Sequence, residues 1–509
     1  MFTTSRDRKP WRVGAVTVLS AALLVSSCGA DAGGQGGADG GEQVLSWAPR
    51  VSPWSWDPIV QGSGFQFNQL SLAYASLTEI DENGEAQPGL AESWEYNEAG
   101  DAVTFTLRKD LTFQDGEPVD AEAVKLYVER AIGQEDSALA NDLDSIDHIT
   151  ADSELEVTFH LTQVDHQVPL LLGRRVALIT SPAADPEDLE QFPVGAGPFT
   201  PLEIVPDSHA YFQKNPDYWN ADEIHIDRVE IHWGIDTASV VPALQTGTYN
   251  FADLPPQQAQ AAEGTEVEVV THPGFNAANI AINHNLEPFD DPAVLEAARH
   301  AVDRQEFVDS ITFGYGSVTA QPFPEDYLAW SPELEDPWPY DPELAREVLA
   351  DAGYEEGDIV VDFVVRDDEP VNEIVQSQFA DVGIILNLQV TTNWEQPFFS
   401  KELPISTYST TGRESPVQTL TAHFGPDGPL NLAGEYENDE FFEAVAVARE
   451  TPLDSPDYVD NLHAATEAGA LNSPTIFTYS LPNIFGKVGV SELPQVPGQI
   501  HWTGVTIED

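Results

Sequence analysis

The spacing of hydrophobic residues alternates along the chain between the period of strands and that of helices. In residues 103–107 and again in residues 155–161, apolar side chains occupy every second position, which predicts two strands that each bury one face. Between these strands, apolar residues at helical spacing begin at Val124 and follow Asp120, a favourable N-cap residue. A helix capped by Asp120 is therefore expected. Alternation of this kind over the whole chain predicts the α/β class with mixed sheets.

The second half of the chain carries local signals that start helices. Asp291-Pro292 and Asp341-Pro342 each place a capping carboxylate before a proline, whose backbone angle suits the first helical position. Asp303 is followed three positions later by Glu306, which is the spacing of a capping box. Apolar residues recur at helical spacing after each of these sites, so three helices are predicted.

The N-terminal segment has the pattern of an export signal. Basic residues precede an apolar run at residues 13–25, which is too short to cross a hydrocarbon core of about 30 Å as a helix. Small residues then lead to Cys28, the only cysteine in the chain, and this arrangement resembles the lipobox of bacterial lipoproteins. We expect a signal peptide at residues 1–27, a lipid on Cys28 and a glycine-rich tether at residues 28–43. An ordinary cleavage site with an incidental cysteine is the alternative.

Composition and charge exclude several classes of protein. The 509 residues include 86 Asp and Glu against 21 Lys and Arg, a formal net charge of −65, so phosphate backbones are repelled and nucleic acid is not an expected partner. Hydrophobic residues make up 41 %, which is too many for a disordered chain. A single cysteine excludes a disulfide framework and a cysteine-rich metal site. The acidity fits either adaptation to high salt or the ordinary solubility of a surface-exposed protein.

One stretch of the sequence carries a family resemblance. Residues 89–95 read GLAESWE, and residues 103–125 read VTFTLRKDLTFQDGEPVDAEAVK. This region resembles the signature of the extracytoplasmic solute-binding proteins, family 5, which are the peptide- and nickel-type binding proteins of ABC importers. Further matches follow in the family's order at residues 194–199 (VGAGPF), 243–247 (ALQTG) and 340–354 (YDPELAREVLADAGY). The resemblance therefore extends over most of the mature chain.

The resemblance implies a two-lobed, three-domain fold of the type II periplasmic-binding-protein kind. Its first domain is discontinuous, its second is a smaller insertion, and its third forms the opposite lobe. The expected bounds are residues 44–85 with 195–283 and 481–509 for domain I, residues 86–194 for domain II, and residues 284–480 for domain III.

No sequence motif indicates catalysis or a bound metal. The HExxH, GxSxG, Walker and GxGxxG patterns are absent, and the 12 histidines are scattered. We therefore expect no enzyme activity, no cofactor and no metal site. The family resemblance implies instead a ligand that is enclosed between two lobes, where burial strengthens each polar contact.

Arg413 and Glu414 are the most distinctive candidates for a ligand site. In peptide-binding members of the family, a loop of the third domain carries an aspartate that takes the amino group of the ligand. The corresponding residues 408–420 read YSTTGRESPVQTL and contain no aspartate, so Glu414 is the remaining acid there. Arg413 then becomes a candidate for binding a carboxylate through its planar guanidinium. The alternative is a structural arginine that holds the loop through one of the many acids.

Further candidates lie in segments that the resemblance places near the cleft. They are aromatic side chains, which could supply apolar walls and for which packing in the core is the alternative, and amides that a core does not need, which could orient a ligand. These candidates are Trp56, Phe65, Gln66, Asn276 and Trp394.

The sequence thus predicts a lipid-anchored, monomeric receptor on the extracytoplasmic face of the cell membrane. It would capture a peptide or peptide-like solute and deliver it to ABC permease subunits that work with an ATPase. A cell-surface sensor or interaction protein of the same fold, a binder of nickel-type metal chelates and, third, an extracytoplasmic enzyme are the alternatives.

Overall fold

A computed structural model of the protein describes residues 41–61, 64–367, 369–413, 415–426, 428–432 and 438–508, without the side chains at positions 64 and 65. The predicted signal peptide, Cys28 and most of the predicted tether lie outside these ranges, and so does Glu414. Within the ranges, no helix combines the length and the hydrophobicity that a membrane span requires.

Strands are distributed over the whole described chain. In chain order they are β1 (Val44–Ala48), β2 (Thr78–Ile80), β3 (Ala86–Pro88), β4 (Ala91–Tyr96), β5 (Ala102–Leu107), β6 (Ile146–Ala151), β7 (Glu156–Leu161), β8 (Phe199–Val205), β9 (His209–Lys214), β10 (Arg228–His232), β11 (Phe251–Asp253), β12 (Glu268–Ile282), β13 (Ser317–Val318), β14 (Ile359–Val365), β15 (Ile384–Val390), β16 (Ile405–Thr410) and β17 (Ile476–Lys487).

Helices alternate with these strands. They are α1 (Gly64–Leu70), α2 (Ala121–Gly133), α3 (Val168–Leu171), α4 (Pro186–Leu189), α5 (Thr237–Gln245), α6 (Pro256–Ala262), α7 (Pro292–Ala301), α8 (Arg304–Ile311), α9 (Pro342–Asp351), α10 (Pro370–Asp381), α11 (Glu395–Phe399), α12 (Pro416–Phe424), α13 (Asp439–Glu450) and α14 (Tyr458–Asn472).

The largest sheet has nine strands in the order β16-β12-β17-β11-β1-β10-β9-β8, with β13 paired to β17. In it β1 runs parallel to β10 and β11, whereas the other pairs are antiparallel. A separate antiparallel sheet has the order β4-β5-β7-β6, β14 and β15 form a parallel pair, and β2 and β3 an antiparallel one. This combination confirms the predicted α/β class with mixed sheets.

The local helix and strand signals are confirmed where they were predicted, except that the Asp303 amide donates to Gln378 Oε1 (3.2 Å) and not to Glu306, so the capping box is not completed. The alternating segments form β5 and β7, and the Asp120 side chain accepts a hydrogen bond from the Ala123 amide (2.8 Å) at the start of α2. Asp291, Asp303 and Asp341 likewise accept hydrogen bonds from the first turns of α7, α8 and α9. These caps satisfy amide groups that a helix leaves without intrahelical partners.

The buried side chains form separate cores on either side of the middle of β12. One set of cores packs around β1 and the sheet of β4 to β7, and another packs around β14, β15 and the helices α7 to α14. We call residues 42–272 and 483–508 the first lobe, and residues 276–481 the second lobe. The bounds of the three domains stay a prediction.

Candidate functional site

β12 and β17 run through both lobes and join them. From Glu268 to His272, β12 pairs with the end of β17, and from Asn276 to Ile280 it pairs with the beginning of β17. The register shifts between His272 and Asn276, so residues 273–275 form a bulge. Because a bulge bends the strand and redirects its side chains, Phe275 and Asn276 line a cavity at the crossing between the lobes.

This cavity, which we call the central cavity, has a volume of about 90 Å³ and receives side chains from both lobes. Its walls combine large aromatic rings with amides and charged groups, a composition that is typical of small-molecule sites. The aromatic residues are Trp47, Phe67, Phe275 and Phe485, and the polar and charged residues include Asn68, Arg174, Asp253, Asn276, Arg413 and Asn483.

Arg174 belongs to the first lobe and is held in place by the protein. Its guanidinium lies over the Phe275 ring, 5.1 Å from the ring centroid, and donates a hydrogen bond to the carbonyl oxygen of Pro497. The neighbouring Arg175 donates from Nη2 to Asp142 Oδ2 at 2.5 Å, and both of these residues are buried. Arg174 therefore contributes fixed positive charge to one wall of the central cavity.

Asp253 supplies a carboxylate to the same cavity. Its Oδ1 accepts a hydrogen bond from Trp47 Nε1 (3.0 Å), and its Oδ2 accepts a long one from the Arg50 amide (3.4 Å). Burial raises the pKa of Asp253 to about 6, because a charged carboxylate is poorly solvated there. The group is thus mostly ionised at neutral pH and can attract a cationic part of a ligand.

Arg413 lies on the second lobe in the loop after β16. At the preceding position, a Cβ atom on Gly412 would lie 2.6 Å from Cβ of Phe275, so only glycine lets the loop approach the bulge this closely. The Arg413 amide donates to Thr419 Oγ1 (2.9 Å), which fixes the backbone. Its guanidinium makes no hydrogen bond or ion pair with a residue that the structure describes.

A second cavity, which we call the side cavity, also lies between the lobes and shares Arg413 with the central one. Its volume is about 440 Å³. The first lobe lines it with residues near Asp142 and Gln167, and the second lobe lines it with α12 and with Arg449 at the end of α13.

The structure brings two of the predicted site residues together. Arg413 and Asn276 both line the central cavity, where Asn276 Nδ2 donates to the carbonyl oxygen of Leu481 (3.2 Å). Glu414 and the Phe65 side chain lie outside the described part of the chain. Gln66 does not line the cavity, although the next two residues of α1, Phe67 and Asn68, do.

The two predicted tryptophans lie elsewhere. Trp56 is 3 % exposed in the core of the first lobe, with its ring 5.7 Å from that of Phe212, so its position corrects the expectation that it faces the cleft. Trp394 lies in the second lobe, where Nε1 donates to Ser406 Oγ (2.8 Å) and the ring stacks on Phe398. It lines a different cavity of about 120 Å³ and not the central one.

Sequence reasoning missed Arg174 and Asp253. The scarcity of basic residues, which drew attention to Arg413, applies equally to the adjacent pair Arg174-Arg175 and could have identified it. Asp253 had no comparable signal, because one acid among 86 Asp and Glu cannot be singled out by its sequence context. Within the described ranges, no three His, Cys, Asp or Glu side chains come together in a way that could hold a metal ion.

Comparison with known proteins identifies the family. Residues 85–430 match the model of the bacterial extracellular solute-binding proteins, family 5 Middle, which is more than half of the chain. The chain belongs to this family, whose members are extracytoplasmic solute-binding proteins of ABC importers and not enzymes.

Individual relatives extend over most of the chain. The chain is 27 % identical over 380 residues to the Di/tripeptide-binding protein 3 of Pseudomonas aeruginosa. This alignment covers 67 % of the chain and 70 % of the relative. The Heme-binding protein A of Haemophilus influenzae is 26 % identical over 388 residues, covering 67 % of this chain and 69 % of the relative.

A solved structure shows the same fold. The ABC transporter-associated periplasmic binding protein DppA from Helicobacter pylori, in complex with the peptide STSA, superposes with a TM-score of 0.78 at 20 % identity. The superposition covers 92 % of this chain and 98 % of that one. The predicted type II periplasmic-binding-protein fold is thereby confirmed.

Proposed function

We propose that this protein is a lipid-anchored receptor of an ABC importer that encloses a peptide or peptide-like solute between its lobes and delivers it to the permease. The observation that carries the proposal is the central cavity. Both lobes line it, and it combines aromatic walls with the carboxylate of Asp253 on the first lobe and the guanidinium of Arg413 on the second.

These groups suit the chemistry of a peptide. A peptide carries an ammonium group, a carboxylate and amides, for which Asp253, Arg413 and the amides of Asn68, Asn276 and Asn483 are matching partners. The names of the relatives that bind dipeptides and tripeptides support the same class of solute. The Arg413 guanidinium makes no hydrogen bond with a described residue and is available for a ligand anion.

Closure of the lobes is part of the proposal. The lobes already contact each other through hydrogen bonds from Gln418 Nε2 to the Asp142 carbonyl oxygen (2.7 Å) and from the His166 amide to the Arg449 carbonyl oxygen (3.0 Å). A solute that contacts both lobes adds to these bonds and favours the closed arrangement. We propose the predicted division into domains I, II and III as the mechanical basis of this motion.

Direct identification of the solute tests the proposal. Native mass spectrometry of the purified protein should reveal a co-purified peptide-like molecule, and titration with tripeptides should raise the melting temperature. At a hundredfold excess of ligand over Kd, the stabilisation should be about 2.7 kcal/mol, and the radius of gyration in solution scattering should decrease. A tripeptide series that leaves both quantities unchanged would contradict the peptide proposal.

Anchoring is tested separately at Cys28. The basic, apolar and small residues before this cysteine, and the glycines after it, support lipidation and attachment at the extracytoplasmic face of the membrane. Cells that are fed a fatty-acid analogue should label the wild-type protein and retain it in the membrane fraction. A Cys28→Ala variant that is labelled and retained equally well would exclude this anchor.

A further inference from the structure

The side cavity contains hydrogen-bond donors that lack partners. Gln167 is 2 % exposed, and its Oε1 accepts a hydrogen bond from the Tyr458 hydroxyl (2.9 Å), whereas its Nε2 has no partner in the described structure. The guanidinium of Arg449 makes no hydrogen bond or ion pair with any residue that the structure describes, and the same holds for Arg413. A buried donor without an acceptor is costly, so Gln167 Nε2 calls for an acceptor that the described chain does not supply. The guanidinium groups of Arg413 and Arg449 are half-buried and line the same cavity, where they are available to an anion.

The acids that line this cavity within the described ranges do not accept hydrogen bonds from these groups. Asp142 is neutralised by Arg175, with Nη2 and Oδ2 at 2.5 Å. Asp165 is buried, and its side chain accepts a hydrogen bond from the backbone amide of Gln167 (2.8 Å). Burial raises the pKa of Asp165, although the charge of Arg449 opposes this. Asp144 is exposed to solvent. The positive charges of Arg413 and Arg449 therefore remain without an ion-pair partner in the described chain.

The sizes of the two cavities also indicate that the side cavity takes part in binding the solute. The central cavity, at about 90 Å³, is small for a tripeptide, whereas the side cavity offers about 440 Å³ next to it. Arg413 lines both cavities, so its side chain is within reach of a ligand group in either one.

We propose that the side cavity binds a second carboxylate of the transported solute, held by Arg449, Arg413 and the Nε2 amide of Gln167. This inference rests on the proposed function, because it assigns the occupant to the transported solute. It narrows the solute class to acidic, peptide-like molecules, such as short peptides with a glutamate or aspartate side chain. Gln418 Oε1, which lines the cavity and has no partner in the described structure, suits an N–H group of the same solute.

The proposed contact also links ligand binding to closure. Gln167 belongs to the first lobe, and Arg413 and Arg449 belong to the second. Two hydrogen bonds between the lobes lie beside the contact, from the Tyr458 hydroxyl to Gln167 Oε1 and from the His166 amide to the Arg449 carbonyl oxygen. A carboxylate bound by both sides holds the lobes together at this edge of the cleft.

Matched tripeptides test the assignment. Calorimetric titration would compare Glu with Gln at each position of tri-alanine, a pair that differs in one charged group at nearly constant shape. We expect the wild type to prefer the glutamate form about tenfold or more at one position. Arg449→Gln should reduce this preference to near unity.

Two further variants separate charge from structure. Gln167→Glu keeps the acceptor for the Tyr458 hydroxyl but replaces the amide donor by a carboxylate, so it should also abolish the preference. Arg346→Gln makes the same charge change as Arg449→Gln at an exposed position and should retain the preference. Equal wild-type affinity for both forms at all three positions, or a preserved preference in folded Arg449→Gln, overturns the assignment.

An acetate measurement keeps the test independent of peptide binding. If no tripeptide binds, the peptide proposal fails, and the side cavity is then tested by exchanging sodium chloride for sodium acetate at constant ionic strength. A melting temperature that acetate raises by about 1–2 °C in the wild type and in Arg346→Gln, but not in Arg449→Gln, supports a carboxylate site. The absence of any difference between the two salts in the wild type overturns it.

Discussion

The central and the side cavity share Arg413, but they differ in whether their polar groups already have hydrogen-bond partners within the protein. In the central cavity, Arg174 and Asn276 donate to the carbonyl oxygens of Pro497 and Leu481, and Asp253 accepts from the indole of Trp47. In the side cavity, the side-chain nitrogen Nε2 of Gln167 has no partner in the described part of the molecule.

This difference indicates what each cavity contributes to recognition. A group that is already hydrogen-bonded keeps its orientation when the site is empty, so the central cavity presents a fixed shape. A buried donor that lacks a partner discriminates strongly, because a ligand without the matching acceptor leaves it unpaired at a cost of about 1–3 kcal/mol. The central cavity would therefore select the shape and the terminal groups of the solute, and the side cavity would select an additional carboxylate.

The largest expected effect is on stability and concerns Trp47, which lines the central cavity and also belongs to a core of the first lobe. Trp47 is 2 % exposed and its ring lies 5.9 Å from that of Phe251 and 5.8 Å from that of Trp502. Trp47→Ala should lower the free energy of unfolding by about 3–5 kcal/mol, measured by urea denaturation, because it leaves a cavity and removes the donor to Asp253. The control Trp54→Ala, at a residue that is 65 % exposed, should stay within about 0.5 kcal/mol.

Arg413 tests whether one residue serves both cavities. Arg413→Ala should weaken binding of an acidic tripeptide by about 2–5 kcal/mol, because it removes a charge-assisted contact and leaves the ligand anion poorly solvated. Arg413→Lys should recover part of this loss, since an ammonium group lacks the planar fork of a guanidinium. A structural role predicts the opposite result, namely a lower melting temperature with near-normal affinity in calorimetric titration.

Asp253 predicts a pH dependence of stability that originates in the central cavity. Burial raises its pKa from 3.8 to about 6, so the native state binds more protons than the unfolded state in this range. The free energy of unfolding should therefore fall as pH rises from about 4 to 6, by about 1–3 kcal/mol, and the contribution levels off above that range.

Asp253→Asn keeps an acceptor for Trp47 and should remove this slope in urea titrations at several pH values. Glu79, whose pKa is raised to about 7 by burial, lies outside both cavities and should still produce a slope between about pH 4.5 and 7. A variant with the full wild-type profile would show that Asp253 is not the titrating group.

The smallest expected effect is the dependence of the melting temperature on salt, which arises from the charge of the whole chain. With a net charge of −65, the acidic side chains repel one another. Salt screens this repulsion, because the Debye length falls from about 10 Å at 0.1 M salt to about 3 Å at 1 M. The melting temperature should rise modestly with sodium chloride over this range and should do so equally in Arg449→Gln and Arg346→Gln. A flat response would remove adaptation to high salt as the reason for the acidity.

The sequence by itself determined the features that depend on neighbours along the chain. The caps at Asp120, Asp291, Asp303 and Asp341 were predictable because a cap requires only a side chain and the amides two or three residues later. The family signature was equally readable, because residues 89–125 keep their order and spacing in the chain. Arg413 could be singled out because basic residues are rare.

Tertiary structure alone decided which side chains meet in the cleft. Trp47 and Trp56 are both buried tryptophans near the N-terminus, but one lines the central cavity and the other packs against Phe212. The partner of Trp47 is Asp253, 206 positions away, and strand pairing between β1 and β11 brings the two together. A shift of one residue in such a register reverses the face of every side chain, and no local pattern encodes that register over this distance.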